Sequence, residues 1–248
     1  MHIRSTLPAW AYKRTMPNIN SDRYSLDLKP KIESSCCGPI ATANIILYLA
    51  QHNCSRLIPL SYRLDENYLL SKLIETLGKE MDTTRSGTFS DGLTDGLEKY
   101  VKDRGYKIRI KSAGWPYSAK YKDEKVPYPE WIMQGVLGSY NSILWIGIYE
   151  YNSAKNYYKR QGGHAVTVAG FIRDWDELLV HDLRSSDSKP PDHYFLYKIK
   201  DKKLIHKDGE PVQASICFEI SDDPLYNRKD NGKIEVLEGA LSFEVTPK

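Results

Sequence analysis

Cys37 stands directly before Gly38-Pro39 in the stretch SSCCGPIATANIILYLA, residues 34–50, and the apolar residues after it keep helical spacing. A thiol at a helix start lies among backbone N–H groups that have no partner inside the helix, at the positive end of the macrodipole. Both features favour the thiolate. A free cysteine titrates near ~8.5, whereas one at a helix start or beside an imidazolium titrates at roughly 3.5–7.5, which makes a nucleophile available at neutral pH. Pro39 suits the first helical turn, where its missing N–H costs nothing. The competing reading of Cys37 is a small apolar residue packed at a helix start, and its partners decide between the two. Cys36 reads as a spacer turned into the core behind Cys37. A resolving thiol is its alternative, disfavoured by the strain of bridging adjacent residues.

The stretch GGHAVTVAGF puts His164 straight after Gly162 and Gly163, at the head of an apolar strand where the backbone can approach a neighbour closely. An imidazole there can take a thiol proton and return it to a leaving group. Eighteen residues on, in LLVHDLR, Asp182 closes the next strand, from which a carboxylate can orient the imidazole across an antiparallel pair. Taken singly, the histidine also reads as a core residue and the aspartate as a surface one. A cysteine at a helix start, a histidine at a strand start and an aspartate at a strand end, in that order, point together to nucleophilic catalysis. His181 falls on the opposite face of its strand from Asp182 and reads as a surface residue rather than a second base.

The elements that must position these groups change character along the chain. Residues 1–33 are polar, carry Pro8, Pro17 and Pro30, and read as an irregular lead-in. Helical patterns cover 39–52, 65–78 with Gly78 as its stop, and the stretch from Thr88 to Gly105. From residue 142 the pattern becomes β-branched and aromatic: 142–151, 164–172, 177–183, 192–199 and 216–220 read as strands. The end of the chain, GKIEVLEGALSFEV, reads as two short strands turning at Glu238-Gly239. Helices first and strands afterwards predict an α+β domain, with helices packed on an antiparallel sheet.

Composition excludes several classes. Lys and Arg number 35 against 32 Asp and Glu, so the basic excess of a nucleic-acid binder is missing. Four cysteines, at 36, 37, 54 and 217, are too few for a disulfide scaffold and lack zinc-site spacing, so no metal is expected; a Cys54–Cys217 bridge stays open. The chain start lacks the apolar centre of a signal peptide, and no run approaches the ~18 apolar residues of a membrane span. The expectation is a soluble protein without a membrane span, its compartment open between cytosol and export with a removed signal. Eighteen tyrosines read as half-buried strand positions or as a polymer-gripping surface.

With these residues in hand, the sequence resembles the papain-like cysteine peptidases, in particular the bacterial branch similar to double-glycine peptidases that trim bacteriocin leaders. The likeness lies in CCGPIATANIILYL, GGHAVTVAGF and VHDL, and in KEMDTTRSGTFSDGLTDGLEKYVKDRGYK, which looks like that family's connecting region; it spans roughly residues 30–185. It implies a papain-like domain over 31–200, with 1–30 a lead-in and 201–248 a β extension packed on the same domain. It also implies Cys37 as nucleophile, His164 as base then acid, and Asp182 as the group that fixes the imidazole, acting without cofactor on a peptide or protein. One departure stands out. Where the family has an oxyanion-binding glutamine upstream of the cysteine, this chain has Lys31, so Lys31 and Ser35 become the candidates for a second donor beside the Cys37 N–H.

Substrate-binding candidates are Trp115, in the aromatic stretch 113–131, and Gly162 and Gly163, hinges of a flap formed by 151–163. A self-packed aromatic loop and a plain hairpin tip are the corresponding alternatives. Acyl transfer or deamidation uses the same groups, the Lys31 departure keeps a binding domain without catalysis in view, and the adjacent thiols of Cys36 and Cys37 leave a redox role as a third alternative. Oligomeric state is open.

Overall fold

Residues 37–52 are apolar on nearly every face, and such a helix belongs inside a protein rather than on its surface. In the computed structural model this segment is helix α1 (Cys37–His52), with Ile40, Ala43, Ile45 and Ile46 all at 2 % exposure or less. The structure describes residues 7–19, 35–62, 66–115, 122–183, 192–199, 202–206, 208–212, 216–221 and 232–248. Helix α2 (Glu66–Glu80) covers one side of α1, and α3 (Ser90–Asp103) packs on α2. Gly78 does not stop α2. The helix runs two residues further and ends where Asp82 adopts a left-handed φ of 49°. Gly96 of α3 sits where an added Cβ would stand 2.5 Å from the Glu80 carbonyl oxygen, so only glycine lets α3 lie this close to the end of α2.

The strands form one ten-stranded sheet. Strand β4 (Tyr140–Asn152) pairs with β5 (Tyr157–Ile172) on one side and β10 (Lys233–Pro247) on the other. From β5 the pairing continues through β6 (Glu177–His181), β7 (Asp192–Lys198) and β9 (Phe218–Ser221) back to β10. These strands close an antiparallel ring and so leave no open edge among themselves. Strand β1 (Trp10–Tyr12) lies beside β5, β2 (Tyr106–Gly114) beside β10, β3 (Lys122–Glu124) beside β2, and β8 (Leu204–Ile205) beside β5. A short helix, α4 (Pro129–Gln134), precedes β4.

Alternation along β4 builds two cores. Leu144 and Ile146 pack with Val166, Val180, Leu196 and Ile220 inside the ring, while Ile143 and Trp145 face the helices with Ala165, Ala169 and Phe243. The fold is therefore α+β, helices against an antiparallel sheet. Among the described residues no helix is long and apolar enough to cross a membrane.

Two expectations are corrected. Residues 233–247 do not turn back at Glu238-Gly239; they form one strand with a bulge, Leu237 facing Ile146 and Gly239 facing Trp145. The dipeptide that suits a turn suits a bulge equally, and β10 has partners on both sides, β4 on one and β9 followed by β2 on the other. The segment 151–163 is not a loop flap: Tyr157 onward belongs to β5, and only the tip of the β4–β5 hairpin is irregular.

Helix α1 is tied to β5 by buried polar bonds. The Thr167 hydroxyl donates to the Ala41 carbonyl at 2.8 Å and accepts from Asn44 Nδ2 at 3.1 Å, while Asn44 Oδ1 accepts the Ile19 N–H at 3.0 Å. Thr167→Val preserves shape but removes the bond to the Ala41 carbonyl and leaves the buried Asn44 Nδ2 donor without its partner. It should lower stability by about 1–3 kcal/mol in chemical denaturation with an unchanged slope.

Candidate active site

Cys37 opens α1, and the lock through Thr167 sets this helix end against the start of the apolar half of β5, where His164 lies. His164 Nε2 stands 2.5 Å from Asp182 Oδ1, so Nε2 carries the ring proton and Nδ1 is the nitrogen left for the thiol. Both side chains are buried, at 7 % and 5 % exposure. The Tyr194 hydroxyl, from β7, donates to Asp182 Oδ2, so each carboxylate oxygen has a donor.

The thiol of Cys37 is held below its ordinary range. Burial alone pushes it upward, and the hydrogen bond with His164, the positive charge of that ring, and the N–H groups of Ala165 and Gly38 outweigh burial. Pro39 offers no N–H and the Gly38 N–H serves the sulfur, which leaves the Cys37 N–H as the remaining first-turn donor for an oxyanion. The start of α1 lies tight against the cleft wall: a Cβ at Gly38 would stand 3.0 Å from the Thr88 side chain.

These groups open into a cleft of about 590 Å³. One wall is the segment Ser86–Ser90, including Phe89, 68 % exposed; the other includes Trp145, Gly163, Arg160 and Glu238. The first wall is pinned to the start of α1: Thr84 and Gly87 exchange backbone bonds at 3.0 Å, and the Ser35 hydroxyl donates to the Arg85 carbonyl at 2.8 Å.

The structure thus brings Cys37, His164 and Asp182 together, with Gly163 beside them. Gly162 precedes Gly163 on β5 but is not among the cleft-lining residues. Ser35 has its single proton committed to Arg85, which corrects its candidacy as an oxyanion donor, and Lys31 lies outside the described residues. Trp115 packs against the cluster around Tyr149 and Tyr158 rather than lining the cleft, so its substrate role is corrected as well: it is the self-packed alternative. His181 is a further correction. It is buried at 5 %, and burial holds it down to about 4, so it is a neutral core residue. All four cysteines are free, Cys36 buried in the core and Cys54 and Cys217 in different clusters. Among the described residues no group of three His, Cys, Asp or Glu side chains could hold a metal ion.

Tyr194, Arg160 and Glu238 have no distinguishing sequence signal. Tyr194 is an aromatic in an alternating strand, and Glu238 sits in a dipeptide that reads as a turn. Compared with known proteins, the chain matches no family model and no curated protein.

The geometry sets an expectation for thiol chemistry. The rate of Cys37 alkylation by iodoacetamide should rise with pH through an inflection below the free-cysteine value of ~8.5. In His164→Ala the opposing effect of burial is left, and the inflection should move above that of the wild type.

Proposed function

We propose that this chain is a thiol-dependent amide or peptide hydrolase of the papain-like kind, with Cys37 as nucleophile. The observation that carries the reading is the sulfur at the tip of α1 hydrogen-bonded to an imidazole whose other nitrogen is held by a buried carboxylate. The thiolate attacks the substrate carbonyl carbon, forming a C–S bond and an oxyanion. His164 passes its proton to the leaving nitrogen as the C–N bond breaks, which leaves a thioester. Water, losing a proton to His164, then attacks the thioester, and the acid product departs as the C–S bond breaks. Asp182 keeps the ring in the tautomer that presents Nδ1 to the sulfur, and it stabilises the imidazolium.

The same thioester can be intercepted by an amine, so acyl transfer shares every step up to the second attack. The open cleft, lined by the exposed ring of Phe89, favours a polymeric acyl donor such as a peptide over a small amide.

A thiol-directed peptidyl electrophile should label the wild type at Cys37, fail with Cys37→Ala, and be slowed by 10²-fold or more with His164→Ala. Equal labelling of the three proteins would reject the enzyme reading. Asp182→Asn should retain the fold and lose activity through the wrong tautomer, by up to ~10⁴-fold where the analogous change has been measured in a serine triad.

A further inference from the structure

The cleft wall beside His164 carries a polar cluster that the triad chemistry does not use. Glu238, 1 % exposed at the bulge of β10, accepts Arg160 Nε on Oε1 at 2.6 Å and Nη2 on Oε2 at 2.8 Å. The Tyr149 hydroxyl adds a third bond to Oε1 at 2.9 Å. Two glycines make room for it: a Cβ at Gly147 would stand 2.1 Å from Glu238 Oε1, and one at Gly163 would stand 2.4 Å from Arg160 Nη2. A buried ion pair contributes little net stability, because desolvating both ions offsets their attraction. Stability alone therefore gives weak reason for a bulge and two vacated Cβ positions around this pair.

A guanidinium has two forks of N–H donors, a side-on fork of Nε with one Nη and an end-on fork between the two Nη atoms. Glu238 occupies the side-on fork. Among the described residues the end-on fork has no partner, and the side chain is 25 % exposed, lining the same cleft as Cys37 and His164. Nη2 lies against Gly163, the residue before His164, so these donors stand beside the reacting centre.

Charge decides what they bind. Glu238 cancels the charge of Arg160, and Asp208 lines the cleft too, so an anionic ligand would meet two carboxylates for one guanidinium. A neutral acceptor meets donors without that repulsion.

We propose that Arg160 is a substrate-binding residue, oriented by Glu238 so that its end-on N–H fork donates to a main-chain carbonyl oxygen of an extended peptide next to the scissile bond. This rests on the reading of Cys37 as a peptidase nucleophile. Glu238 is a positioning residue: it fixes the guanidinium and neutralises it, which selects an uncharged peptide backbone over an acidic group.

Two electrophiles for one sulfur test it. Iodoacetamide carries no main chain, whereas a neutral tripeptidyl vinyl sulfone must lie in the cleft. In Arg160→Lys, which keeps the charge but loses the fork, and in Arg160→Met combined with Glu238→Gln, which leaves no buried charge unpaired, inactivation by the peptidyl probe should fall about tenfold or more, as expected for loss of a charge-assisted hydrogen bond. Alkylation by iodoacetamide should stay within about twofold in both, since the triad is intact. A peptidyl rate that is unchanged, or both rates falling together, overturns the proposal while leaving the triad reading in place. A probe with an acidic side chain that outpaces the neutral one only when Arg160 is present overturns the assignment to a backbone carbonyl. A wild type that ignores the peptidyl probe altogether overturns the peptidase reading and this proposal with it.

Discussion

One threonine hydroxyl holds the two halves of the molecule in register. Thr167 gives its proton to the Ala41 carbonyl and takes one from Asn44, fixing both the height and the rotation of α1 against β5. Cys37 lies seven residues before Asn44, two helical turns on the same face, and His164 lies three residues before Thr167. A rigid helix and a rigid strand clamped there deliver their ends to a common point. This matters because a misplacement of reacting groups by about 1 Å can cost 10²-fold in rate. The closed ring supplies the stiffness: β5 is paired with β4, β6, β1 and β8, so the strand carrying His164 has little freedom to shift.

Burial acts on the site in two opposed ways. It penalises the Cys37 thiolate and the Asp182 carboxylate, yet it also strengthens each hydrogen bond that reaches them. For Cys37 the balance falls toward the thiolate because three partners converge: the ring of His164 by bond and by charge, and the N–H groups of Ala165 and Gly38. Asp182 is kept with donors on both oxygens, from His164 and Tyr194. Glu238 likewise has donors on both oxygens, from Arg160 and Tyr149. His181 shows the contrast: with burial dominant, it stays neutral in the core.

The three long helices and most ring strands are legible in the sequence because their apolar periods are strong, from Ile40 to Leu49 and from Ala165 to Ile172, whereas the short helix α4 lies where the sequence reads as an aromatic loop. Strand β2 is not, since YKIRIKSAG alternates with charged residues and follows a helix whose turn at Gly105 masks its start. The bulge at Glu238 is not, because a Glu-Gly pair serves a turn and a bulge alike and the pairing on both sides of β10 decides. For the site, Cys37, His164 and Asp182 are carried by local chemistry: a helix start, a double glycine and a strand end. Tyr194, Arg160 and Glu238 acquire meaning from partners 12 to 89 residues away, and no local pattern encodes such pairings. Ser35 and Trp115 suited their expected roles by type, and each is instead engaged by its own neighbourhood, the Arg85 carbonyl and the cluster around Tyr149.

The central claim is spatial, that a sulfur at residue 37 and a ring nitrogen at residue 164 share one hydrogen bond. A bifunctional alkylating reagent with a three-carbon span, such as 1,3-dibromoacetone, reads this directly when the digested product is analysed by mass. The account predicts a single bridge joining the peptide with Cys37 to the peptide with His164. Alkylation of Cys37 without a bridge, or a bridge from Cys37 to any other side chain, would contradict it.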